Sequence, residues 1–276
     1  MKIFIKRTLL FLLLAVVVIE SLSIIMAITD LYLIGYPGND IYYSIAKSKK
    51  KNKSKTLLIG DSVGRQLFPI KSNNHEINSL ASNQAIGIVG QYLLLNNYLK
   101  AGNEIDELIM IFTPFSFQNN LDQKYTYHYF IKPFNNSEYS SLFTETVKEQ
   151  IRKIPYHQFA QVPHIFVTPW APEIDLVDQK DYTFLSPVSI EYLDKIKELS
   201  IQYDFELNVL PPPTSIEHKD EIKKMDVDEA SKCDLEQEFK DYFNKITYLD
   251  STKFYDGTHL IYPENYSARY RAELIE

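Results

Sequence analysis

Short apolar runs alternate with longer amphipathic segments through most of the chain. Strands are predicted at residues 56–59, 75–80, 108–112, 206–210 and 246–249. Helical spacing of apolar positions predicts helices at residues 87–100, 190–203 and 235–244. This alternation favours a parallel sheet with helices on both faces, a flavodoxin-like three-layer α/β/α sandwich. Residues 56–276 are long enough to form it as one domain with a sizeable core.

The first 29 residues differ from the rest because they are almost wholly apolar after Lys2, Lys6 and Arg7. About 22 apolar residues at ~1.5 Å each reach across a ~30 Å hydrocarbon core, which predicts one transmembrane helix. The preceding positive charges place the N-terminus in the cytoplasm and the remaining chain outside the membrane. A cleaved signal peptide ending near residues 21–23 is the alternative. Residues 30–55, with a basic run from 47 to 55, are predicted to be a juxtamembrane linker.

A candidate nucleophile follows the first predicted strand of the domain. Gly60, Asp61 and Ser62 come directly after the apolar run, and the residues after Ser62 begin a helical pattern. A serine at such a strand-to-helix turn exposes its hydroxyl at the carboxyl edge of the sheet. The alternative is ordinary turn chemistry, with Ser62 as the N-cap of the helix.

A candidate base lies near the other end of the chain. Asp256 and His259 follow the last predicted strand in the segment Tyr-Asp-Gly-Thr-His. The carboxyl ends of parallel strands meet at one edge of a sheet, so these side chains are expected beside Ser62. Serine, histidine and aspartate together suit nucleophilic acyl transfer, in which histidine takes the serine proton and aspartate orients the imidazole.

These two blocks resemble the first and last blocks of the SGNH (GDSL-like) hydrolase superfamily, Gly-Asp-Ser and Asp-x-x-His. The resemblance covers about residues 55–276 and implies the SGNH form of the α/β/α sandwich with Ser62, His259 and Asp256 as catalytic triad. The middle blocks depart from the family: the segment after strand two has no glycine, and Thr-Pro-Phe-Ser replaces Gly-x-Asn-Asp after strand three. The oxyanion donors are therefore nominated by position: Ser82, Asn83, Gln84, Ser116 and Asn119.

Composition excludes several classes of function. The formal net charge of -7 gives no basic face for nucleic acid, and no glycine-rich phosphate cradle is present. Cys233 is the single cysteine, which excludes an internal disulfide and cysteine-based metal sites. The six histidines are scattered, so neither a metal nor another cofactor is expected.

An aromatic-rich insertion is predicted at residues 115–187. Aromatic faces stack on sugar rings, so the insertion suits a saccharide groove, but the same residues also suit a packed satellite core. Both interpretations stay open at this point.

The SGNH resemblance, an anchor and an outward-facing domain together indicate an esterase or O-acyltransferase acting on acyl groups, acetyl first, of an envelope or extracellular polysaccharide. In the SGNH-like proteins of such systems, a polytopic membrane acyltransferase often supplies the acyl group; Glu20 inside the predicted span suits that partner. A non-catalytic glycan-binding or scaffolding subunit is the alternative of a different class. A lipid esterase, which requires a long acyl tunnel, is the third hypothesis.

Overall fold

The computed structural model describes residues 1–28, 39–71, 76–160 and 180–267. Its central element is a four-stranded parallel sheet with the strand order β2-β1-β3-β4. These strands are β1 (Thr56–Gly60), β2 (Ile77–Ser79), β3 (Glu107–Ile111) and β4 (Glu206–Leu210). A second parallel pair is formed by β5 (Thr214–Ser215) and β6 (Tyr248–Leu249). The chain is therefore an α/β protein with a parallel sheet, as the sequence predicts.

The α-helices alternate with these strands. In chain order they are α1 (Lys2–Ile28), α2 (Asn39–Ser48), α3 (Ser62–Leu67), α4 (Gly87–Lys100), α5 (Lys132–Phe134), α6 (Glu145–Lys153), α7 (Pro187–Tyr203), α8 (Lys219–Ile222) and α9 (Glu236–Asn244). Helices α4 and α7 pack together, with the rings of Tyr92 and Tyr192 edge to face at 5.3 Å.

Both faces of the sheet are buried, which explains the continuous apolar runs of its strands. Leu57 and Ile59 of β1 point into the larger core, which also contains side chains of α4, α7 and α9. Leu58 points to the opposite face, where it packs with Val63 of α3. Because successive side chains of a strand point to opposite faces of the sheet, β1 contributes side chains to two cores.

The strand order reverses direction at β1, which makes this strand the topological switch point of the sheet. The chain leaves β1 for β2 on one side, and β3 pairs with β1 on the other. In open parallel sheets, ligands bind outside the carboxyl ends of the strands at such a point. Ser62 follows the end of β1, and Thr113 follows the end of β3.

Most predicted boundaries are confirmed to within a few residues. Helix α7 begins at Pro187 instead of residue 190, because the hydroxyl of Ser186 caps it by accepting a hydrogen bond from the Ser189 N–H. Strand β6 is shorter than predicted, because the chain at Ile246 still hydrogen-bonds to the last turn of α9.

The N-terminal segment does not support the predicted membrane anchor. Helix α1 is present, but in the part of the chain that the structure describes no helix combines the length and the apolar character needed to cross a bilayer.

The predicted linker at residues 30–55 contains a packed helix, α2, although residues 30–38 lie outside the described residues. Ile41 of α2 is fully buried in the larger core. Lys47, from the predicted basic run, turns inward and donates to the carbonyl oxygens of Ile70 and Ser79 at 2.7 and 2.8 Å. Residues 39–48 are therefore part of the folded unit, because the apolar side of α2 is covered.

The aromatic insertion packs into the larger core. Phe117, Phe130, Phe134 and Phe184 are fully buried there, so these side chains fill the interior and do not line a groove. Phe166 and Trp170, which belong to the same predicted insertion, lie outside the described residues.

Candidate active site

Asp61, and not Ser62, caps the helix that follows β1. The Asp61 Oδ1 accepts hydrogen bonds from the N–H groups of Val63 and Gly64 at 2.9 and 3.2 Å. Ser62 is the first residue of α3, and its side chain is largely buried at the turn. The interpretation of Ser62 as a simple N-cap is therefore wrong, and its hydroxyl is available for another contact.

The turn is held tightly against β3. A Cβ atom at Gly60 would lie 2.5 Å from the carbonyl oxygen of Ile111, and one at Gly64 would lie 2.7 Å from it. Real Cβ atoms do not approach that closely, so both positions require glycine. The close approach fixes the start of α3, and with it Ser62, relative to the sheet.

Asp61 also connects the turns after β1 and β3. Its Oδ2 accepts hydrogen bonds from the Thr113 N–H at 2.6 Å, the Thr113 hydroxyl at 3.0 Å and the Ser116 hydroxyl at 2.7 Å. Together with the two bonds to Oδ1, these bonds make one fully buried carboxylate connect the start of α3 with the turn after β3. Donors surround the carboxylate, as a buried charge requires.

The structure brings Ser62, His259 and Asp256 together in one hydrogen-bonded chain. The Ser62 Oγ lies 2.8 Å from the His259 Nε2, and the His259 Nδ1 lies 2.7 Å from the Asp256 Oδ2. An ionised carboxylate only accepts hydrogen bonds, so Nδ1 carries the proton and Nε2 accepts from the serine hydroxyl. This tautomer can take a proton from Ser62.

The Asp256 carboxylate is held ionised by its neighbours. Its Oδ1 accepts from the backbone N–H groups of His259 at 2.7 Å and Thr258 at 3.1 Å. Burial raises the pKa of Asp256, but these bonds and the imidazole outweigh burial, so the pKa is lower than its ordinary value. Gly257 takes a φ of 79°, which lets the chain turn so that both N–H groups face the carboxylate.

The segment that carries His259 is joined to α3 by Gln66. The Gln66 Oε1 accepts from the Leu260 N–H at 3.1 Å, and its Nε2 donates to the Leu260 carbonyl at 3.4 Å. Gln66 stands four residues after Ser62, so both side chains lie on the same side of α3. One amide thus fixes the residue next to His259 relative to the helix that carries Ser62.

Tyr255 covers the imidazole. Its ring lies nearly parallel to that of His259, with 5.4 Å between the centroids, and it is largely exposed. Burial and the charge of Asp256 raise the pKa of Tyr255, whereas the charge of Arg65 lowers it.

Several of the nominated oxyanion donors already serve other partners. The Ser116 hydroxyl donates to Asp61, and the Asn119 Nδ2 donates to the Gln84 carbonyl at 2.6 Å. Ser82 is fully buried, and its hydroxyl accepts from the Gln91 amide at 3.3 Å.

For Asn83, the Oδ1 accepts from the Ala85 N–H at 2.8 Å, which leaves its amide as a donor at the half-buried start of this turn. The Asn83 amide therefore remains a candidate oxyanion donor, together with the backbone N–H of Ser62.

A shallow crevice lies beside Gly257 and Thr258, beyond the carboxyl ends of β3 and β4. It encloses about 10 Å³, and Phe115, His218 and Thr258 contribute to its lining. His218 contacts the Gly257 carbonyl at 3.2 Å through Nε2, and its ring lies edge to face with Phe115 at 5.0 Å. The crevice has room for about one water molecule, and it is not lined by Ser62, Asp256 or His259.

Three residues of this site were not predicted from the sequence. The sequence places Asp61 in the Gly-Asp-Ser block or in an ordinary turn without predicting its partners, because its contact with Thr113 depends on the pairing of β1 with β3. The spacing of Gln66 from Ser62 places it on the right side of α3, but nothing local indicates Leu260 as its partner. Tyr255 precedes Asp256 directly, and its stacking requires the turn at Gly257.

Comparison with known proteins adds little to these observations. No family model matches the sequence, and no curated protein matches it. A solved structure described as that of a candidate platelet activating factor from Streptococcus pneumonia aligns over 89% of this chain and 94% of its own, with 10% identity and a TM-score of 0.36. A similarity this low informs neither fold nor function.

Proposed function

We propose that the chain is a serine esterase or O-acyltransferase of SGNH type, with Ser62 as nucleophile, His259 as general base and Asp256 as the residue that orients the imidazole. The hydrogen-bonded chain from Ser62 through His259 to Asp256 carries this proposal. The strand order β2-β1-β3-β4, which is the beginning of the flavodoxin-like order, is consistent with it.

The reaction would proceed by acyl transfer. His259 Nε2 removes the Ser62 proton as Oγ attacks an ester carbonyl, and the ionised Asp256 stabilises the resulting imidazolium. The Ser62 N–H and the Asn83 amide would stabilise the oxyanion. Protonated His259 then gives its proton to the leaving alkoxide, and the acyl-enzyme is released by water or by a sugar hydroxyl.

We propose a small acyl group, acetyl first, on the basis of the same resemblance to SGNH proteins. As acceptor or leaving group we propose an O-acylated envelope or extracellular polysaccharide, following the resemblance of the two motif blocks to SGNH proteins. A polytopic membrane acyltransferase as acyl source is part of the same proposal.

The first test is labelling by a serine-directed fluorophosphonate. The wild-type chain should be labelled, and Ser62→Ala and His259→Ala should each abolish labelling while circular dichroism remains unchanged. Ser231→Ala is a matched control, because its hydroxyl only bonds the Asp228 carbonyl on the exposed surface. Labelling that persists in Ser62→Ala would refute the assignment of the nucleophile.

Product analysis shows whether water or a sugar hydroxyl accepts the acyl group. Released acetate from an acetyl ester indicates an esterase, whereas an acetylated oligosaccharide that forms only when acceptor is added indicates a transferase. Both products should require Ser62.

A non-catalytic glycan-binding or scaffolding subunit is the second candidate. It is favoured by one observation: the side chains of Ser116 and Asn119 are engaged in bonds within the protein and are not presented as oxyanion donors. Absence of labelling and turnover in a folded chain would select this candidate.

The extracytoplasmic location is proposed from residues 1–29 of the sequence alone. Retention of the full-length chain in the membrane after carbonate extraction would support an uncleaved anchor. A shortened chain in the soluble fraction would select the signal peptide.

A further inference from the structure

A second cleft lies beside the nucleophile helix, away from the crevice described above. It encloses about 430 Å³, within the ~300–1,000 Å³ that ligand pockets usually span. Its walls come from α2, α3 and residues 69–71. Arg65 and Gln66 of α3 line it, and they stand three and four residues after Ser62, so the cleft begins about one helical turn from the nucleophile.

The charges in this cleft favour an anion. Arg65 forms an ion pair with Asp40, and the ammonium of Lys71 lies 5.2 Å from the centre of the Tyr43 ring. Two cations and one carboxylate leave one net positive charge among these lining residues. The whole chain carries a formal charge of -7, so this positive cleft differs from the average surface.

The remaining lining is suited to a ring-shaped ligand. The half-buried ring of Tyr43 and the side chain of Ile70 form an apolar wall next to the two cations. An aromatic face packs against the C–H face of a sugar, while guanidinium and ammonium groups bind a carboxylate. A sugar that carries a carboxylate presents both features in one unit.

One side chain connects the cleft with the segment that carries His259. Gln66 lines the cleft and pairs with Leu260, the residue after His259. Arg65, one residue before Gln66 on α3, also lines the cleft. The cleft is thereby one side chain away from the residue next to His259.

We propose that this cleft binds a uronate-type, carboxylate-bearing sugar unit of the glycan, next to the unit whose hydroxyl or ester is presented to Ser62. The acyl-transfer role of the neighbouring unit rests on the proposed function, but binding of the anionic sugar does not. The carboxylate would lie between Arg65 and Lys71, and the sugar ring would lie against Tyr43.

The test measures binding without turnover. Full-length Ser62→Ala is titrated by isothermal calorimetry with trigalacturonate and with neutral galactotriose. We expect trigalacturonate to bind with a Kd on the order of 1 mM and galactotriose to bind at least about tenfold more weakly. Lys71→Met should weaken trigalacturonate binding about fivefold, since it removes one charge but keeps the side-chain stem.

Lys219→Met is the matched control, because Lys219 lies over the Tyr248 ring at 5.4 Å outside this cleft. Tyr43→Leu, which keeps the apolar volume but removes the aromatic face, should weaken binding of trigalacturonate by a similar factor to Lys71→Met. The unfolding midpoint of each variant shows that it is folded.

Three results would overturn the proposal: no binding of trigalacturonate, equal binding of the neutral and acidic oligomers, or equal effects of Lys71→Met and Lys219→Met. Hexanoate that binds as well as trigalacturonate would also overturn it, since the ligand would then be a simple carboxylate. If trigalacturonate binds as expected and Ser62 is not labelled by fluorophosphonate, the cleft stands as a glycan site and the enzyme function fails.

Discussion

At the scale of single residues, Asp61 has the largest structural role in the site. Its carboxylate receives five hydrogen bonds, two from the start of α3 and three from the turn after β3. Ser62 is therefore placed by its neighbour in sequence, and that neighbour is fixed by a strand that comes about 50 residues later in the chain. The position of the proposed nucleophile thus depends on a side chain outside the hydrogen-bonded chain of Ser62, His259 and Asp256.

Asp61→Asn is expected to lower the free energy of unfolding by about 2–3 kcal/mol, because the amide directs N–H groups towards donors that need an acceptor. Urea denaturation measures the loss. Asp250→Asn is the matched control, since Asp250 caps the exposed turn at Thr252 and should cost much less. Similar losses for the two variants would mean that Asp61 is only an N-cap.

At the scale of elements, the site forms between α3 and the segment that carries His259. The bridge between Phe254 and Leu260 shapes that segment, and the Gln66 amide attaches it to α3. The side chain of Leu260 is buried in the core that contains Leu58 and Val63, which fixes the backbone to which Gln66 bonds.

With a small acetyl ester that does not reach the cleft lined by Gln66, Gln66→Ala should reduce kcat by about tenfold with little change in KM, because the imidazole would lose its alignment with Ser62. The rates are compared with those of Gln237→Ala, which removes an exposed amide that donates to Asp241 on α9. Measurements well below the unfolding midpoint separate alignment from stability. A change in KM alone would assign Gln66 to ligand binding and not to positioning.

Much of the element pattern could be predicted, because strands and helices follow local periodicity. β4 and α4 have the predicted boundaries. Ser62, Asp256 and His259 meet as predicted, although β6 pairs with β5 in a separate sheet and not with the strands of the main sheet. The docking of α2 and the contacts of Asp61 and Gln66 could not be predicted, since each joins segments far apart in sequence.

At the scale of the whole molecule, one sheet separates two cores of unequal size. The larger core takes in the aromatic insertion, α2 and the long helices, whereas the smaller one consists of α3 and the segment around Leu260. Ser62 and the segment that carries His259 thus lie against the smaller core. Cys233 is buried in the larger core and can report on its opening.

Burial, and then the charge of Asp194, raises the pKa of Cys233 from its ordinary 9.0 to about 12. The unfolded thiol ionises above pH 9 and the folded thiol does not, so its contribution to stability is complete below pH 9 and falls as pH rises. Between pH 9 and 10 the wild-type chain should lose about 1 kcal/mol more than Cys233→Ala. Urea midpoints at the two pH values measure this difference, and equal losses would contradict a thiol that stays protonated in the fold.

The separation of Ser62 from His259 by 197 residues also affects the time at which the protein can act. At a synthesis rate of ~5–20 residues per second, the ribosome produces His259 roughly 10–40 s after Ser62. During that interval the Ser62 hydroxyl lacks the imidazole that is proposed to take its proton. In the proposed enzyme, reactivity would begin only when the last part of the domain has docked, so the chain would not attack esters while it is still being made.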